Sequence, residues 1–425
     1  MLFNKSRAVA YMRQCGLDAL VATSPVNITY LTDYYFWLDP LFKEYWLSPG
    51  ASSNLAQSYA IFPLEGEPAL VVGPQQAGNA ADLWVRDLHT YGDTGLDETY
   101  PPTARRGEAA AEAAAEAARI YDVLHAPQRH GSATEALAGV LQARGLLGAR
   151  IGVEMEGLTA PARLALPGAL PKAQLKDCSN LLRLIRAVKS AEEIERLARA
   201  AEISEQAGLE SLARARPGVM MGDIVQHYRA RIGEMGADLD HFAFGYRGMG
   251  VVTEPSYRLA ADDVMFVDWG CNYRHYFSDT GTTLAVGDLP PMLAERHAAL
   301  RAGMAAAMDA IWPGAKCSAV QAALRDTLAG RGITAVNPHG HGVGLEVRDY
   351  PILVADNGLR LRDDCIDVAS DLPLEEGMVF NLECAIFMPG VGSPHIERSF
   401  VVTPEGGQPL TAQDRSAPIR PRAAA

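Results

Sequence analysis

The chain has 425 residues, of which 48% are hydrophobic and 21% are charged, and its formal net charge is −13. This length predicts two or three domains with enough apolar side chains to form a large core. The negative charge argues against general nucleic-acid binding and against binding to anionic membrane surfaces, because both require a positive field.

The cysteines and the N-terminus indicate the cellular compartment. The six cysteines are scattered without a C-x-x-C pair, a spacing typical of reduced thiols rather than of a disulfide framework or a zinc ribbon. The first residues, MLFNKSRAVAYMRQCG, have the pattern of an amphipathic helix and lack the apolar core of a signal peptide. No apolar run is long enough to span a bilayer. We therefore expect a cytoplasmic protein without membrane contact.

The first 175 residues or so alternate between strand-like and helix-like segments. Short apolar runs that predict strands are GLDALVATSP, SYAIFPLEG, EPALVVG and IGVEMEG, and Ala-rich helical patterns are GEAAAEAAAEAARIYDVL and ATEALAGVLQARG. The aromatic stretch TYLTDYYFWLDPLFKEYW is compatible with core packing beside a loop or with an aromatic wall that reaches a substrate pocket. The alternation predicts an α/β domain over residues 1–178.

A long helix opens the second half of the chain. Ser190 and Glu193 form a capping-box pattern, and Pro217-Gly218 ends the helical periodicity. Helices and antiparallel strands are mixed beyond this point. The sequence therefore predicts an α+β fold for a second domain over residues 179–425.

Two aspartates follow apolar runs in the segment VMFVDWGCNYRHYFSDTGTTLAVG, Asp268 first and Asp279 11 residues later. An aspartate after a buried run is costly unless a positive group meets it. Two carboxylates that return on neighbouring strands can share a hard divalent cation. Aspartates at strand ends and turns are also common without a metal, so this segment alone does not decide.

Two further segments place ionisable groups on apolar stretches. In NPHGHGVG, His341 stands between glycines that allow close backbone approach. If this segment is extended, we expect His339 to point to the opposite face. In GMVFNLECAIFMPGVGSPHIERSF, Glu383 lies inside one apolar strand and Glu397 begins the next. A buried glutamate needs a partner, and a metal ion is the most economical one.

The order Asp, Asp, His, Glu, Glu, the 11-residue spacing, the H-G-x-G loop and the G-M-V-F-x-x-E strand resemble the pita-bread metallopeptidase superfamily. The resemblance extends to the N-terminal domain and the KSAEEIE helix, and it favours the branch of prolidase, aminopeptidase P and the metal-free creatinase. It implies a creatinase-like N-terminal domain, a pita-bread catalytic domain, a homodimer, and two divalent ions, with Mn favoured over Co, Fe or Zn. The ligands that it implies by position are Asp268, Asp279, His341, Glu383 and Glu397.

The chemistry that this resemblance implies is hydrolysis. Four carboxylates and one imidazole suit two hard or borderline divalent ions. Two such ions hold a bridging hydroxide and polarise the group that it attacks. Glu383 is in a position to take a proton during the attack.

The residues around the implied ligands depart from those of the peptidases. The family's upstream histidine is absent from Gly248–Pro255, and its second histidine, seven residues after His341, is replaced by Arg348. His395 stands where an arginine is common, and Gly281-Thr282-Thr283 replaces the usual Thr-Arg-Thr ending. These departures predict altered proton handling and argue against ordinary prolyl-peptide cleavage.

Other groups must then handle protons or bind substrate. Arg348 is either a surface arginine or a fixed cation that clamps a substrate carboxylate. His395 and His339 are the first candidates for proton transfer, ahead of Glu254 and Tyr273, although each of these is also compatible with a structural role.

Three functions compete at this stage. The leading hypothesis is a metal-dependent hydrolase of a C–N bond in a peptide or small amide, acting on a dipeptide-like or other small substrate that bears a carboxylate. The first alternative is a metal-dependent lyase acting on a small carboxylate substrate, similar to the dimethylsulfoniopropionate lyases of this superfamily. The second is a non-catalytic peptide-binding relative.

Overall fold

The structure is a computed structural model that describes residues 2–35, 45, 49–50, 57–80, 82–92, 111–125, 130–412 and 417–421. Its internal contacts divide the chain into two compact units. Unit 1 comprises Met1–Ile185 with Leu361–Asp367, and unit 2 comprises Arg186–Arg360 with Val368–Ala425.

Within the described residues, unit 1 is built on a six-stranded sheet of order β4-β3-β2-β1-β5-β6. The central strand β1 pairs antiparallel with β2 and parallel with β5, so the sheet is mixed. The strands are β1 (Ala19–Ala22), β2 (Tyr59–Pro63), β3 (Ala69–Val72), β4 (Asp87–Thr90), β5 (Arg150–Val153) and β6 (Gln174–Asp177). The helices are α1 (Lys5–Cys15), α2 (Pro25–Thr32), α3 (Ala111–Leu124), α4 (Ala133–Ala143), α5 (Ala160–Ala169) and α6 (Ser179–Ala187).

Local sequence explains these elements. All four residues of β1 are buried, as its uninterrupted apolar run predicts. Helix α1 ends at Gly16, which adopts a φ of 64° and returns its N–H to the last turn. Helix α4 begins at Ser132, whose hydroxyl accepts from the amide of Glu135. The apolar side of α4 packs on the sheet. Most of the aromatic stretch after α2 lies outside the described residues.

The part of unit 2 that the structure describes contains two five-stranded sheets. One has the order β10-β9-β7-β8 with β11 added on β9, and the other has the order β13-β12-β16-β17-β18. All pairs within both sheets are antiparallel. Strands β11 and β17 pack beside each other and so bring the two sheets together.

The bounds of the remaining elements are as follows. The helices are α7 (Ala191–Leu212), α8 (Met221–Glu234), α9 (Pro291–Asp309) and α10 (Cys317–Ala329). The strands of the first sheet are β7 (Asp238–Gly245), β8 (Val251–Val252), β9 (Val264–Tyr273), β10 (Tyr276–Phe277) and β11 (Thr280–Ala285). Those of the second are β12 (His339–Gly342), β13 (Asp349–Leu353), β16 (Val379–Ala385), β17 (His395–Thr403) and β18 (Gly406–Pro409). A separate ribbon is formed by β14 (Arg360–Arg362) and β15 (Asp367–Ala369).

Helix α7 supports the sheet that carries the two aspartates. It begins with the predicted capping box, in which the side chains of Ser190 and Glu193 each bond the other's backbone amide. The indole of Trp269, on β9, donates to the carbonyl of Ser204 at 3.0 Å. A Cβ on Gly208 would stand 2.2 Å from the indole nitrogen. Glycine at this position therefore lets the Trp269 ring lie against α7. The contact of the ring with the helix holds β9 in place.

The architecture confirms the predicted fold class, a mixed α/β domain followed by an α+β domain. Among the helices of the described residues, none is long and apolar enough to cross a membrane.

Candidate metal centre

The strands of unit 2 bring the five predicted ligands to one place. Asp268 lies in β9, Asp279 immediately precedes β11, His341 lies in β12, and the two glutamates lie in β16 and β17. Asp268 is opposite Gly281 in the β9–β11 pair. Glu383 and Glu397 are direct cross-strand neighbours. Residues paired in this way carry side chains on the same face of a sheet, so the four acids converge.

Asp279 lies between two imidazoles. Its Oδ2 is 3.3 Å from His341 Nε2, and its Oδ1 is 3.4 Å from His241 Nε2. The same nitrogen of His241 is 2.9 Å from Asp268 Oδ1. His241, Asp268 and Asp279 thus form a compact group of donor atoms able to hold a metal ion.

A second such group consists of Glu383, His395 and Glu397. His395 Nε2 is 3.5 Å from Glu383 Oε2 and 3.8 Å from Glu397 Oε2. The imidazole is fully buried and stacks on Phe266 with ring centroids 4.1 Å apart. The Thr283 hydroxyl accepts a hydrogen bond from the backbone amide of His395 at 2.9 Å. These contacts fix the ring between the two glutamates.

Arg348 and His339 lie on the open side of Glu383. His339 Nε2 is 2.8 Å from Glu383 Oε1, and Arg348 Nη2 is 3.7 Å from the same oxygen. Their side chains are 32% and 62% exposed, whereas that of Glu383 is 10% exposed. Solvent therefore reaches this glutamate beside an imidazole and a guanidinium group.

The expected direction of His339 is wrong. His339 and His341 both lie in the extended strand β12, and residues two apart in a strand share one face. Both imidazoles consequently meet acids of the cluster, His339 at Glu383 and His341 at Asp279.

The electrostatics of the cluster show a surplus of negative charge. Burial and the neighbouring acids Asp268, Asp279 and Glu383 hold the pKa of Glu397 well above its usual range. Burial also raises the pKa of Asp268, aided by Asp279 and opposed by His241. Burial is outweighed at Asp279 by His241 and His341, which lower the pKa of that carboxyl. A divalent cation would relieve the repulsion that these shifts record.

The other acid–histidine contacts of the cluster shift pKa values for the same reasons. Burial acts against ionisation of Glu383, but His339 and His395 outweigh it and lower the pKa of this carboxyl. Glu383 in turn raises the pKa of His339. Burial disfavours the charged form of His241, yet Asp240, Asp268 and Asp279 raise its pKa to about 12.

The donor atoms fit divalent ions. Four buried atoms that face the cluster make no hydrogen bond within the described residues: Asp279 Oδ1, His341 Nε2, His395 Nε2 and Glu397 Oε2. Buried polar atoms of a native protein are normally satisfied, so such a concentration calls for an unseen partner. A Cβ on Gly281 would stand 2.2 Å from Glu397 Oε2 and 2.5 Å from His395 Cε1. Glycine there leaves the space that the donors surround.

The sequence analysis did not predict His241. Two residues that it did propose, Glu254 and Tyr273, make their contacts outside the cluster. His241 stands in the segment DLDHF, in which polar and apolar residues are mixed, and the only signal in that segment is the adjacent Asp-His pair. Glu254 is exposed and accepts from the Ser256 hydroxyl at 2.7 Å. The ring of Tyr273 lies beneath the Arg274 guanidinium, 5.6 Å from it.

The comparisons with known proteins agree with this architecture. Residues 194–404 match the model of metallopeptidase family M24, and residues 5–188 match the creatinase/prolidase N-terminal domain. An uncharacterized peptidase, YqhT of Bacillus subtilis, is 28% identical over 290 residues, which cover 66% of this chain and 77% of that protein. The Xaa-Pro dipeptidase of Lactobacillus delbrueckii subsp. lactis is 28% identical over 281 residues, 63% of this chain and 72% of its own.

Solved structures share the fold. The Xaa-Pro dipeptidase from Bacillus anthracis superposes with a TM-score of 0.70 at 21% identity, over 98% of each chain. The class defined by fold and site is that of metal-dependent hydrolases, as the sequence predicted. The chain belongs to metallopeptidase family M24, in the prolidase-like branch of the pita-bread superfamily, with a creatinase-type N-terminal domain.

Proposed function

We propose that this enzyme binds two divalent ions and hydrolyses a C–N bond in a dipeptide-like or other small amide substrate that bears a free carboxylate. We propose Asp268, Asp279, His341, Glu383 and Glu397 as the ligands. The domains that we assign are residues 1–178 and 179–425. Mn as the preferred ion, a homodimer and a cytoplasmic location stay predictions.

The observation that carries the proposal is the convergence of four acids, two of which, Asp279 and Glu397, have a buried oxygen that makes no hydrogen bond within the described residues. Asp279 offers one oxygen toward His341 and the other toward His241, at 3.3 and 3.4 Å. Asp279 would therefore be able to help hold both ions. When bound, two divalent ions activate water and polarise the carbonyl that is cleaved.

Glu383 and His339 are the groups that we assign to proton transfer. Glu383 stays ionised because His339 and His395 lower its pKa, so its carboxylate is able to accept a proton. His339 reaches the solvent-facing oxygen of Glu383 at 2.8 Å and is itself partly exposed. It can pass that proton to the leaving amine or to solvent.

His395 has a different position from His339. It is fully buried between Glu383 and Glu397, with its ring packed on Phe266. We assign it to holding the two carboxylates in place and to offsetting their charge, in addition to its predicted part in catalysis.

Arg348 is the group that we assign to the substrate carboxylate. Its guanidinium is 62% exposed beside Glu383, in a loop that ends at the buried ion pair of Asp349 with Arg186. The planar guanidinium can bind a carboxylate through two parallel hydrogen bonds. A fixed cation here favours substrates with a free terminal acid.

The test begins with metal-saturated protein. Elemental analysis is expected to find two divalent ions per chain, and a panel of dipeptides, small amides and betaines with their amidated counterparts identifies the substrate class. Hydrolysis in oxygen-18 water must place one heavy oxygen in the acid product. A metal-loaded enzyme that releases product without the label is a lyase, and a chain that binds no metal overturns the proposal.

A further inference from the structure

His241 is the cluster residue that the five-ligand assignment leaves without a role. Its Nε2 lies 2.9 Å from Asp268 Oδ1 and 3.4 Å from Asp279 Oδ1. The ligand atoms of these three residues all lie within 4.8 Å of one another. In the same cluster His341 contacts the other oxygen of Asp279.

The backbone of β7 is shaped to aim this side chain. The β7–β9 register runs Leu239 to Cys271 and then His241 to Gly270, so Asp240 is an extra residue in the ladder. Such a bulge reorients the side chains around it and is frequent beside active sites. The bulge explains how the side chains of Asp240 and His241 come into contact, although consecutive residues of a regular strand point to opposite faces.

That contact is a carboxylate–imidazole pair. His241 Nδ1 lies 2.6 Å from Asp240 Oδ2, while Nε2 faces Asp268 and Asp279. Histidines that bind metals usually donate their other ring N–H to a carboxylate, which fixes the tautomer and the orientation of the ring. Asp240 occupies that position.

The facing strand leaves room for the ring. A Cβ on Gly270 would stand 2.8 Å from His241 Cε1 and 2.4 Å from the Ser278 carbonyl oxygen. Any larger residue at this position would push the imidazole away from Asp268.

We infer that His241 is a sixth protein ligand, which binds through Nε2 the ion shared by Asp268 and Asp279, and that Asp240 orients it. The inference rests on the proposed dinuclear site. One imidazole then serves each ion, His341 on one side of Asp279 and His241 on the other. An imidazole favours Co²⁺ and Zn²⁺ over Mn²⁺, whereas carboxylates alone suit Mn²⁺.

The opposing explanation is a structural hydrogen bond. If His241 only donates a hydrogen bond to Asp268, its imidazole occupies the space of the ion and competes with it. Removing the imidazole would then strengthen metal binding. A glutamine, whose amide can reproduce the bond to Asp268, would restore the wild-type behaviour.

The experiment titrates metal-stripped full-length protein with Co²⁺ and separately with Mn²⁺ by calorimetry, and records the visible absorption of the Co²⁺ form. The variants are His241→Ala, His241→Gln and Asp240→Asn. The control is His227→Ala on α8, where the imidazole bonds Ser211. Circular dichroism of the metal-free proteins checks that each variant folds.

The expected result is two ions in wild type and in the control. In His241→Ala and His241→Gln, one metal site keeps its wild-type affinity. The other site binds Co²⁺ about 10- to 100-fold more weakly, with a smaller loss of affinity for Mn²⁺. The Co²⁺ absorption changes in both variants. Asp240→Asn lowers the metal affinity of the same site by about 10-fold or more.

The outcomes separate two failures. Metal binding in His241→Ala that equals or exceeds that of wild type overturns the ligand role of His241 and leaves the five-ligand site intact. Recovery of wild-type Co²⁺ affinity and absorption by His241→Gln overturns it as well. Absence of metal from wild type itself refutes the proposed function.

Discussion

His339 and Glu383 face each other across strands β12 and β16, with Nε2 of the imidazole 2.8 Å from Oε1 of the carboxylate. The other oxygen of Glu383 is 3.5 Å from His395, deep in the cluster. Glu383 therefore connects the buried donors to a partly exposed imidazole. The arrangement supports a route for protons between the reaction centre and solvent.

His339→Gln is expected to keep the hydrogen bond to Glu383 and to lose the titratable group. General acid–base catalysis contributes about 10²- to 10⁴-fold, so kcat should fall by at least about 100-fold. Metal content should not change, because His339 is outside the ligand set. Steady-state kinetics with elemental analysis measure both, and His227→Gln serves as the control. An unchanged kcat would assign proton transfer to another group.

Asp279→Asn and Glu397→Gln should each lose at least one metal ion. Asp279 lies between two imidazoles, and Glu397 is buried among three acids. An amide keeps the shape of either side chain but removes the charge that a divalent ion requires. Dialysis followed by elemental analysis gives the stoichiometry. The exposed residue Asp288 provides the control Asp288→Asn, and equal metal loss in this control would point to a general charge effect.

This enzyme should hydrolyse standard Xaa-Pro dipeptides poorly when it is compared with a prolidase loaded with the same metal. The segment Gly248–Pro255 has no histidine, and Arg348 stands seven residues after His341. An arginine cannot transfer protons near neutral pH, because its guanidinium remains charged. Turnover of several Xaa-Pro dipeptides, measured beside an authentic prolidase, decides the matter. Comparable kcat/KM values would show that these departures do not weaken prolyl cleavage.

The sequence predicted the acids of the cluster from the strand-like segments that carry them and from the family resemblance. Asp268, Glu383 and Glu397 stand in strands whose neighbours are buried, and a charge at such a position demands a partner. The capping box of α7 was equally readable, because its hydrogen bonds join residues three apart.

The position of His241 depended on information that a linear pattern does not contain. His241 reaches the cluster through a bulge in β7, and the extra residue of a bulge cannot be recognised before the pairing register is known. The predicted direction of His339 was wrong because every second residue of a strand lies on the same face. Long-range register thus decided the position of His241, whereas local strand alternation is enough to orient His339.

His297 should make stability depend on pH. It is buried in α9, with its Nε2 lacking a hydrogen bond within the described residues. Burial, together with Arg301, lowers its pKa to about 4. The unfolded chain therefore takes up a proton near pH 6.5 while the folded chain does not, so stability is present above that pH and is lost as the pH falls toward 4. The full effect is roughly 3 kcal/mol.

The measurement compares urea unfolding of metal-stripped wild type and His297→Leu at pH 7.5 and pH 5. Other groups titrate in both proteins, so the difference between the two isolates His297. The variant should lose less free energy of unfolding on acidification than wild type does. Equal losses in the two proteins would mean that His297 is protonated in the folded state.

Arg348 offers the sharpest test of the substrate class. Its guanidinium is 62% exposed and lies 3.7 Å from Glu383 Oε1, at the open side of the cluster. A charge-assisted hydrogen bond to a carboxylate contributes about 1.5–3 kcal/mol, which corresponds to a rise in KM of about 10- to 100-fold. Arg348→Ala should therefore raise KM for an acid substrate and leave the metal content unchanged.

Arg348→Lys should recover only part of the loss, because an ammonium group cannot reproduce the planar fork of the guanidinium. The amidated form of the same substrate should respond little to either change, since it lacks the charge that the arginine would bind. Steady-state kinetics on both forms, with the exposed-site variant Arg331→Ala as control, give the comparison. Equal losses on acid and amide would place Arg348 in the structure of the loop or in the chemical step, and binding of the substrate carboxylate would then have to come from another group.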